Sequence, residues 1–298
     1  MSIKPNIAIA SLLLLSTVLI SACSGQQTRT RSSIIEYLYP EKITDIIEPS
    51  IPVLKIPLKV GIAFVPEHPD SDYGTNQFSG KQITSSTLTE VQKLKLLEKI
   101  AERFKTYEFI DEIELIPSPY LVPEGSFSNL EQIQTMYDID VIALVSYDQV
   151  QFTSENALSL TYWTLIGAYI ISGEQNDTST MVDTVVYDIA SKKMLFRAPG
   201  TSNVKGKATP VNLIKALRDD SLTGFKAATN DMIENLDIQL SSFKEKIKNK
   251  PEKANVIYQK GYSGAGSFGP FEIILMVSLA FIAGLNKYRH SISSRLKK

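Results

Sequence analysis

The sequence predicts an α/β fold with a single mixed sheet, parallel in its first half, with antiparallel hairpins in its second half, and flanked by helices. Three features predict it: apolar runs at residues 59–65 and 140–146, an amphipathic pattern between them, and alternating segments after residue 147. Buried parallel strands are continuously apolar, whereas antiparallel strands alternate. An N-terminal signal peptide and a C-terminal transmembrane helix are predicted outside the sheet.

The first half of the chain has the order strand, helix, strand, helix, strand. Apolar residues recur at three- and four-residue steps from Leu88 to Phe104, which indicates an amphipathic helix. Ser128 is the expected cap of the second helix. This order predicts parallel strands joined by crossover helices. The five elements are expected at residues 59–65, 84–106, 113–116, 130–137 and 140–146.

The second half of the sheet is predicted to be antiparallel. Residues 158–172 are rich in β-formers and indicate a long strand or strand pair, too short and too polar for a membrane span. Residues 180–189 form the next strand, and a tight turn returns the chain as a strand over 194–198. Pro199 and Gly200 are expected to end that strand, with Arg197 pointing outward.

The α/β domain is assigned to residues 58–248. Residues 211–248 are predicted to be largely helical, with a break near residues 222–224 and an apolar stripe that packs on the sheet or pairs with another subunit. Residues 23–57 are predicted to be a polar tether followed by a wrapping segment with little regular structure. Residues 249–270 are a linker that becomes rich in glycine.

Residues 1–22 are typical of a secretory signal peptide, with one early charge at Lys4 and an apolar core. Small residues precede Cys23, which resembles a bacterial lipobox. In that family signal peptidase II cuts before the cysteine and acylation enzymes add the lipid. Cys23 is the only cysteine, so no internal disulfide can form. Ser24 points to the outer membrane, and the alternative is an ordinary signal peptide cut elsewhere.

The C-terminal stretch has three parts: a glycine/serine segment, an apolar run at residues 271–286 and a basic tail at residues 287–298. It resembles the GlyGly-CTERM sorting signal, although it has no adjacent glycine pair. Proteins with that signal are cleaved by a rhombosortase, a rhomboid-type intramembrane protease. The basic tail is expected to stay cytoplasmic. A plain anchor that is never cut is the alternative. The predicted recognition and cleavage region contains Gly261, Ser263, Gly264, Ala265, Gly266 and Gly269.

The body of the chain resembles the rhombotarget lipoprotein family, which pairs a lipobox with a rhombosortase signal. The resemblance is carried by residues 162–169 (YWTLIGAY), 188–191 and 195–200, and it extends from the lipobox to the tail. It implies processing and location, and no catalytic activity comes with it. Aromatic core packing in a strand is the simpler interpretation of residues 162–169, ahead of a ligand site.

Composition and motifs exclude several functions. The formal net charge is −1, and removing both ends leaves about −6 on the body, which argues against nucleic-acid binding. Of the two histidines, His290 lies in the tail and His68 in a loop with Asp70 and Asp72, a pattern more typical of solvated residues than of a metal site. The sequence contains no G-x-S-x-G, no P-loop, no H-E-x-x-H and no cysteine nucleophile, which leaves an enzyme that uses carboxylates alone as an alternative that nothing favours. We therefore predict a non-enzymatic envelope protein without a metal or cofactor, with a periplasmic hydrolase as the third class.

Overall fold

The computed structural model describes residues 26–40, 50–67, 74–75, 82–83, 88–155, 174–209 and 211–259. The chain divides into two compact units, Met1–Ile257 and Tyr258–Lys298, and only residues 258–259 of the second are described. The strands are β1 (Gln26–Arg31), β2 (Val53–Ile56), β3 (Leu58–Phe64), β4 (Gly74–Thr75), β5 (Gln82–Ile83), β6 (Ile110–Ile116), β7 (Val141–Glu155), β8 (Glu174–Asp188), β9 (Lys193–Ala208) and β10 (Asn255–Tyr258). The helices are α1 (Ile34–Leu38), α2 (Glu90–Phe104), α3 (Ser126–Tyr137) and α4 (Leu213–Asn249), with 3₁₀ turns at Ser118–Tyr120 and Pro251–Lys253.

A six-stranded sheet organises the domain. Its order is β6-β3-β7-β8-β9, and β1 pairs with β7 beside that path. Strand β3 runs parallel to β6 and β7, whereas β7 with β8, β8 with β9 and β1 with β7 form antiparallel pairs. Helices α2 and α3 lie between the parallel strands in the chain, as crossover connections require. The predicted mixed sheet is therefore confirmed.

Helices cover both faces of the sheet. On one face α2 and α4 pack their apolar residues against the inward side chains of β3, β7, β8 and β9, around Phe64, Tyr147 and Phe225. On the other face α1 and α3 pack against the alternate residues of β3, β7 and β8, including Ile142 and Leu144. The domain is thus a sheet between two helical layers, which agrees with the predicted fold class.

The N-terminal part of the domain differs from the predicted tether. Residues 26–31 form strand β1, which pairs antiparallel with β7 in the register Gln26↔Thr153 to Arg31↔Asp148. Helix α1 and strand β2 lie in the segment expected to lack regular structure. Strand β1 was not predicted because its sequence is polar. Thr28 and Thr30 are nevertheless buried where the strand pairs with β7.

Strand β9 and helix α4 are both longer than predicted. Strand β9 continues through Pro199 and Gly200. It is the last strand in the sheet order, so the backbone N–H that proline lacks is not needed to pair with a further strand. Helix α4 is one helix of 37 residues without the expected break, and Gly224 lies within it, where a side chain would meet Thr180. Ser128 is not the cap of α3, since the helix begins at Ser126 and the Ser128 hydroxyl donates to the Gly125 carbonyl.

The two ends of the sheet hold different parts of the chain. Strand β1 pairs with the last residues of β7, so Gln26 lies beside Thr153. Leu54 of β2 packs with Val141 at the opposite end of β7, and β2 pairs with β10. At about 3.3 Å per residue, Val141 and Thr153 are about 40 Å apart. Residue 26 and residue 257 therefore lie at opposite ends of the same domain.

Among the described residues, no helix combines the length and the apolar character needed to cross a membrane. The predicted span at residues 271–286 lies outside them, as do the signal peptide and the predicted strand at residues 158–172.

Candidate functional site

The residues predicted to carry processing lie outside the described ranges. These are the lipidation site Cys23 and the recognition region Gly261, Ser263, Gly264, Ala265, Gly266 and Gly269. The loop residues His68, Asp70 and Asp72 and the aromatic segment 162–169 also lie outside them. The structure defines the points from which the chain leads toward both predicted processing sites, Gln26 at one end of the sheet and Ile257 at the other.

Sequence reasoning missed an ionic cluster formed by Glu67, Glu90, Lys93 and Tyr147, of which Lys93 and Tyr147 are buried and the two carboxylates are partly exposed. Lys93, in the first turn of α2, is only 6% exposed. Its Nζ lies 3.4 Å from Glu67 Oε1 and 3.2 Å from Glu90 Oε1. The Tyr147 hydroxyl donates to Glu67 Oε1 at 2.5 Å, and the Ser118 amide donates to Glu90 Oε2 at 3.2 Å. The cluster lies just beyond the carboxyl ends of β3 and β6, where open α/β sheets place their binding sites.

Tyr147 is the most deeply buried member of the cluster. Its ring packs edge-on against Phe225, with ring centroids 5.1 Å apart, and against Phe64 at 6.1 Å. Burial raises the pKa of the Tyr147 phenol far above its ordinary value, and the negative charge and hydrogen bond of Glu67 raise it further. Tyr147 is therefore a neutral hydrogen-bond donor and cannot act as a general base near neutral pH.

The charges of the cluster are paired with one another. Lys93 is shared between two carboxylates, so its positive charge is matched within the cluster. Across the ranges that the structure describes, no group of three or more His, Cys, Asp or Glu residues could hold a metal ion.

A second polar feature, the polar seam, lies between the far half of the sheet and the first half of α4. The Gln149 amide nitrogen donates to Thr180 Oγ1 at 2.7 Å and to the Ser221 carbonyl at 3.2 Å, and the Ser221 hydroxyl donates back to the amide oxygen at 2.6 Å. Gln151 repeats the pattern one row further, donating to Thr178 Oγ1 at 3.1 Å and to the Leu217 carbonyl at 2.8 Å. The seam comprises Thr28, Thr30, Gln149, Gln151, Thr153, Asn176, Thr178, Thr180 and Ser221, all buried.

The seam attaches α4 to the sheet by hydrogen bonds where the apolar core ends. The buried amides of Gln149 and Gln151 are tolerated because they bond to α4 and β8, and such bonds specify one register of the helix on the strands, whereas Thr28 Oγ1 and the Asn176 amide are buried without a partner among the described residues. At its far end, burial raises the pKa of Asp220; the Asn176 amide opposes the shift and Asp219 adds to it. The alternation of Gln and Thr after Tyr147 is the sequence feature that corresponds to the seam, but the same pattern is typical of a strand exposed to solvent.

The chain matches no model of a known protein family, and no curated protein gives a significant match. Among solved structures, it is similar to a PelC dodecamer from Paraburkholderia phytofirmans, with 12% identity and a TM-score of 0.25 over 58% of this chain and 92% of that one. It is also similar to a neuraminyllactose-binding hemagglutinin homolog from Helicobacter pylori, with 8% identity and a TM-score of 0.33 over 72% of this chain and 97% of that one. Values this low establish neither a shared family nor a shared function.

Proposed function

We propose that the protein is an exported envelope lipoprotein anchored through an acylated Cys23, with a C-terminal segment that a rhomboid-type protease removes. Signal peptidase II and the lipoprotein acylation enzymes process its N-terminus. The precursor is held in the inner membrane by the segment at 271–286, and the released form moves to the outer membrane or cell surface. The domain has a non-catalytic role in binding or envelope assembly, without nucleic acid and without a cofactor.

The observation that carries this proposal is the short distance between Cys23 and the folded domain. Strand β1 begins at Gln26, three residues after Cys23. Three residues of extended chain reach about 11 Å. An acylated Cys23 therefore holds the domain close to the membrane surface, so no other anchor is required once the acyl chains are in place. Several acyl chains give stable anchoring, whereas one is marginal.

The opposite positions of the two chain ends favour removal of the C-terminal segment over its retention. Residues 258–270 separate Ile257 from the predicted membrane helix. This stretch can span at most about 45 Å, when fully extended. Val141 and Thr153 of β7 are about 40 Å apart along the strand. Two anchors in one bilayer would therefore require residues 258–270 to be almost fully extended, or the strands to lie parallel to the membrane plane. Cleavage removes this constraint.

The alternative is a doubly anchored component of an envelope complex whose C-terminal helix is retained. The two readings differ in whether the residues after the glycine segment survive in the mature protein. In both, the domain acts by binding. A turnover that is lost on changing Glu67→Gln or Glu90→Gln would contradict the non-catalytic role.

Metabolic labelling with a clickable palmitate analogue tests the proposal. Cells that express the native chain or Cys23→Ser are labelled, with and without an active rhomboid-type protease. We expect label on the native chain, none on Cys23→Ser, and loss of the tail peptides only when the protease is active. Equal labelling of both chains would refute acylation at Cys23. Tail peptides that persist in the presence of the protease would favour the doubly anchored alternative.

A further inference from the structure

The path of the six-stranded sheet ends in two edge strands of opposite charge, β6 at one side and β9 at the other. Strand β6 has three acidic residues and no basic one: Asp111, Glu112 and Glu114. Strand β9 has four basic residues and no acidic one: Lys193, Arg197, Lys205 and Lys207. An edge strand presents backbone groups that can pair with another chain, and the charges beside them select the partner.

The charged side chains of the two edges share one face of the sheet. Glu114 pairs in register with Gly61, where an added Cβ would meet Ile139 of the apolar cluster around α3. On β9, Arg197 pairs in register with Val185 of the same cluster. Because alternate residues of a strand lie on the same side, this face also carries Glu112, Lys205 and Lys207.

The acidic edge forms no ion pair within the described part of the chain. Lys59 lies beside Glu112 in the register, but its ammonium group pairs with Asp138. Neither Glu112 nor Glu114 belongs to any ion pair among the described residues. Glu112 is exposed and Glu114 is half-buried. Both carboxylates can therefore meet a cation that approaches this edge from outside.

The last part of β9 is the open part of the basic edge, because α4 covers the middle of the strand. The Asn235 amide nitrogen donates to the Pro199 carbonyl, and the Thr201 amide donates to Asp231 Oδ2, both at 2.8 Å. These backbone groups point away from β8, and such groups alternate along a strand. The backbone groups of residues 203, 205 and 207 therefore also point outward, beyond the last strand of the sheet.

Two exposed lysines, Lys205 and Lys207, accompany these outward backbone groups. Asp177 lies opposite Lys205 but accepts a hydrogen bond from Asn203 at 2.6 Å. Neither lysine belongs to an ion pair within the ranges that the structure describes. Arg197, nearer the start of the strand, is already paired with Asp183 at 2.8 Å. The two lysines are therefore the cations of this face that are left for a partner.

We propose that β6 of one copy of the protein pairs with residues 203–207 of β9 in a second copy. Strands β6 and β9 run in the same direction, because β6, β3 and β7 are parallel and two antiparallel pairings lead from β7 to β9. A second copy in the same orientation adds β6 as a parallel strand with its charges on the matching face. Alternate residues are about 6.6 Å apart on both strands, so Glu112 and Glu114 reach Lys205 and Lys207 together.

The same charges oppose pairing between like edges. Two β6 edges would bring carboxylates together and two β9 edges would bring lysines together, and like charges directly opposite each other destabilise a strand pair. Each copy in the proposed contact keeps one unused edge, so the contact extends to further copies as a ring or a filament. A second copy of the chain is thus a partner in addition to the proposed binding or assembly role, and the contact does not require acylation of Cys23.

Charge reversal at the two edges tests this pairing. Sedimentation velocity measures the mass distribution of the full chain, extracted from native membranes in a mild detergent. One variant reverses the β6 edge (Glu112→Lys with Glu114→Lys), and a second reverses the β9 edge (Lys205→Glu with Lys207→Glu). The matched control is Glu98→Lys with Glu102→Lys, because both glutamates are exposed on α2 and the charge changes by the same amount as in the β6 variant. Circular dichroism verifies that each variant is folded.

We expect the native chain and the control to form species larger than dimers, and each edge variant to require at least about tenfold higher concentration for assembly. A mixture of the two edge variants should assemble again, because each β6 edge then meets a β9 edge of opposite charge. The inference is overturned by a native chain that is monomeric at micromolar concentration or stops at dimers, by edge variants that assemble like the native chain, or by a mixture that stays dissociated.

Disulfide cross-linking locates the contact without charge reversal, in case an edge variant does not fold. Glu112→Cys and Lys205→Cys are introduced into separate full-length chains, which are mixed and oxidised. Neighbouring strands lie about 4.8 Å apart, within the range that a disulfide bridges. We expect a dimer whose linked peptides contain positions 112 and 205, formed in the mixture and in neither variant alone. Native assemblies that yield no such link would overturn the proposed pairing.

Discussion

The substitution Gly200→Ala tests how closely α4 packs on the sheet. Gly200 lies on β9 directly beneath the helix, where an added Cβ would be 2.2 Å from the Ala228 carbonyl oxygen and 2.2 Å from the Met232 amide nitrogen. Both atoms belong to the helix backbone, so no side-chain rotation can relieve the contact. Because carbon atoms rest about 3.5 Å or more from their neighbours, α4 must move away by about 1 Å.

The expected cost follows from what that movement disturbs. Phe225, Ala228, Met232 and Leu236 of α4 are buried against the sheet, and a gap of 0.5–1 Å removes roughly a quarter to a half of a contact's dispersion energy. Overpacking costs about 1–3 kcal/mol in most cores. We expect the upper limit, about 3 kcal/mol, which lowers the Tm by roughly 6–12 °C in a domain of this size.

Urea unfolding of the full chain in detergent, followed by far-ultraviolet circular dichroism, measures this loss. Gly206→Ala is the matched control, because it lies on the same strand and faces the same helix. Its added Cβ would lie 2.3 Å from Asp220 Oδ2, the tip of a side chain that can rotate away. We expect the control to cost less than about 1 kcal/mol. Equal losses for the two variants, or no loss for Gly200→Ala, would refute the close packing of helix on strand.

Three further predictions concern polar and ionisable groups. Ser221→Ala removes the hydroxyl bonded to Gln149 and should cost about 1–2 kcal/mol in urea unfolding, whereas Thr223→Ala, exposed on the same helix, should cost less than about 0.5 kcal/mol. Lys93→Met leaves two partly exposed carboxylates without their shared cation and should lower the free energy of unfolding by about 2 kcal/mol. An unchanged urea midpoint would contradict this prediction. Burial raises the pKa of Tyr187 to about 12, and Tyr39 adds to the shift. Because the neutral phenol is favoured in the folded state, its contribution to stability is complete below about pH 10 and declines at higher pH. The urea midpoint should therefore fall less for Tyr187→Phe than for the native chain between about pH 8 and pH 11.

Apolar patterning predicted those parts of the fold that apolar burial determines. The runs at 59–65 and 140–146 correspond to β3 and the first half of β7, and the amphipathic stripe between them corresponds to α2. Their order in the chain predicted parallel pairing correctly. Such segments are predictable because each buries a continuous apolar surface, and period and length then distinguish strand from helix.

Where polar contacts or neighbours decide the structure, the sequence was a poor guide. Strand β1 and the far half of β7 are held by pairing and by the polar seam, and neither has an apolar face that would mark it as buried. Pro199 and Gly200 indicate a strand end, but an edge strand tolerates the proline and a close helix requires the glycine. Tertiary context overrode local preference at these positions.

The polar sites show the same limit. Glu67 and Lys93 approach each other only because β3 ends beside the first turn of α2, and nothing in their spacing predicts a pair. The position of Gln26 beside Thr153 depends on the register of β1, which a six-residue polar segment does not reveal. The lipidation and sorting signals themselves are sequence patterns read by enzymes, and they remain predictions.

The intact mass of the mature protein from its native membrane, with peptide coverage of both ends, tests the central claim most directly. We expect a chain that begins at an acylated Cys23 and ends within the glycine segment, between Gly261 and Gly269. Acylated Cys23 together with an intact Lys298 would mean that the tail is a permanent anchor. A Cys23 that carries no lipid would contradict the claim that this protein is a lipoprotein.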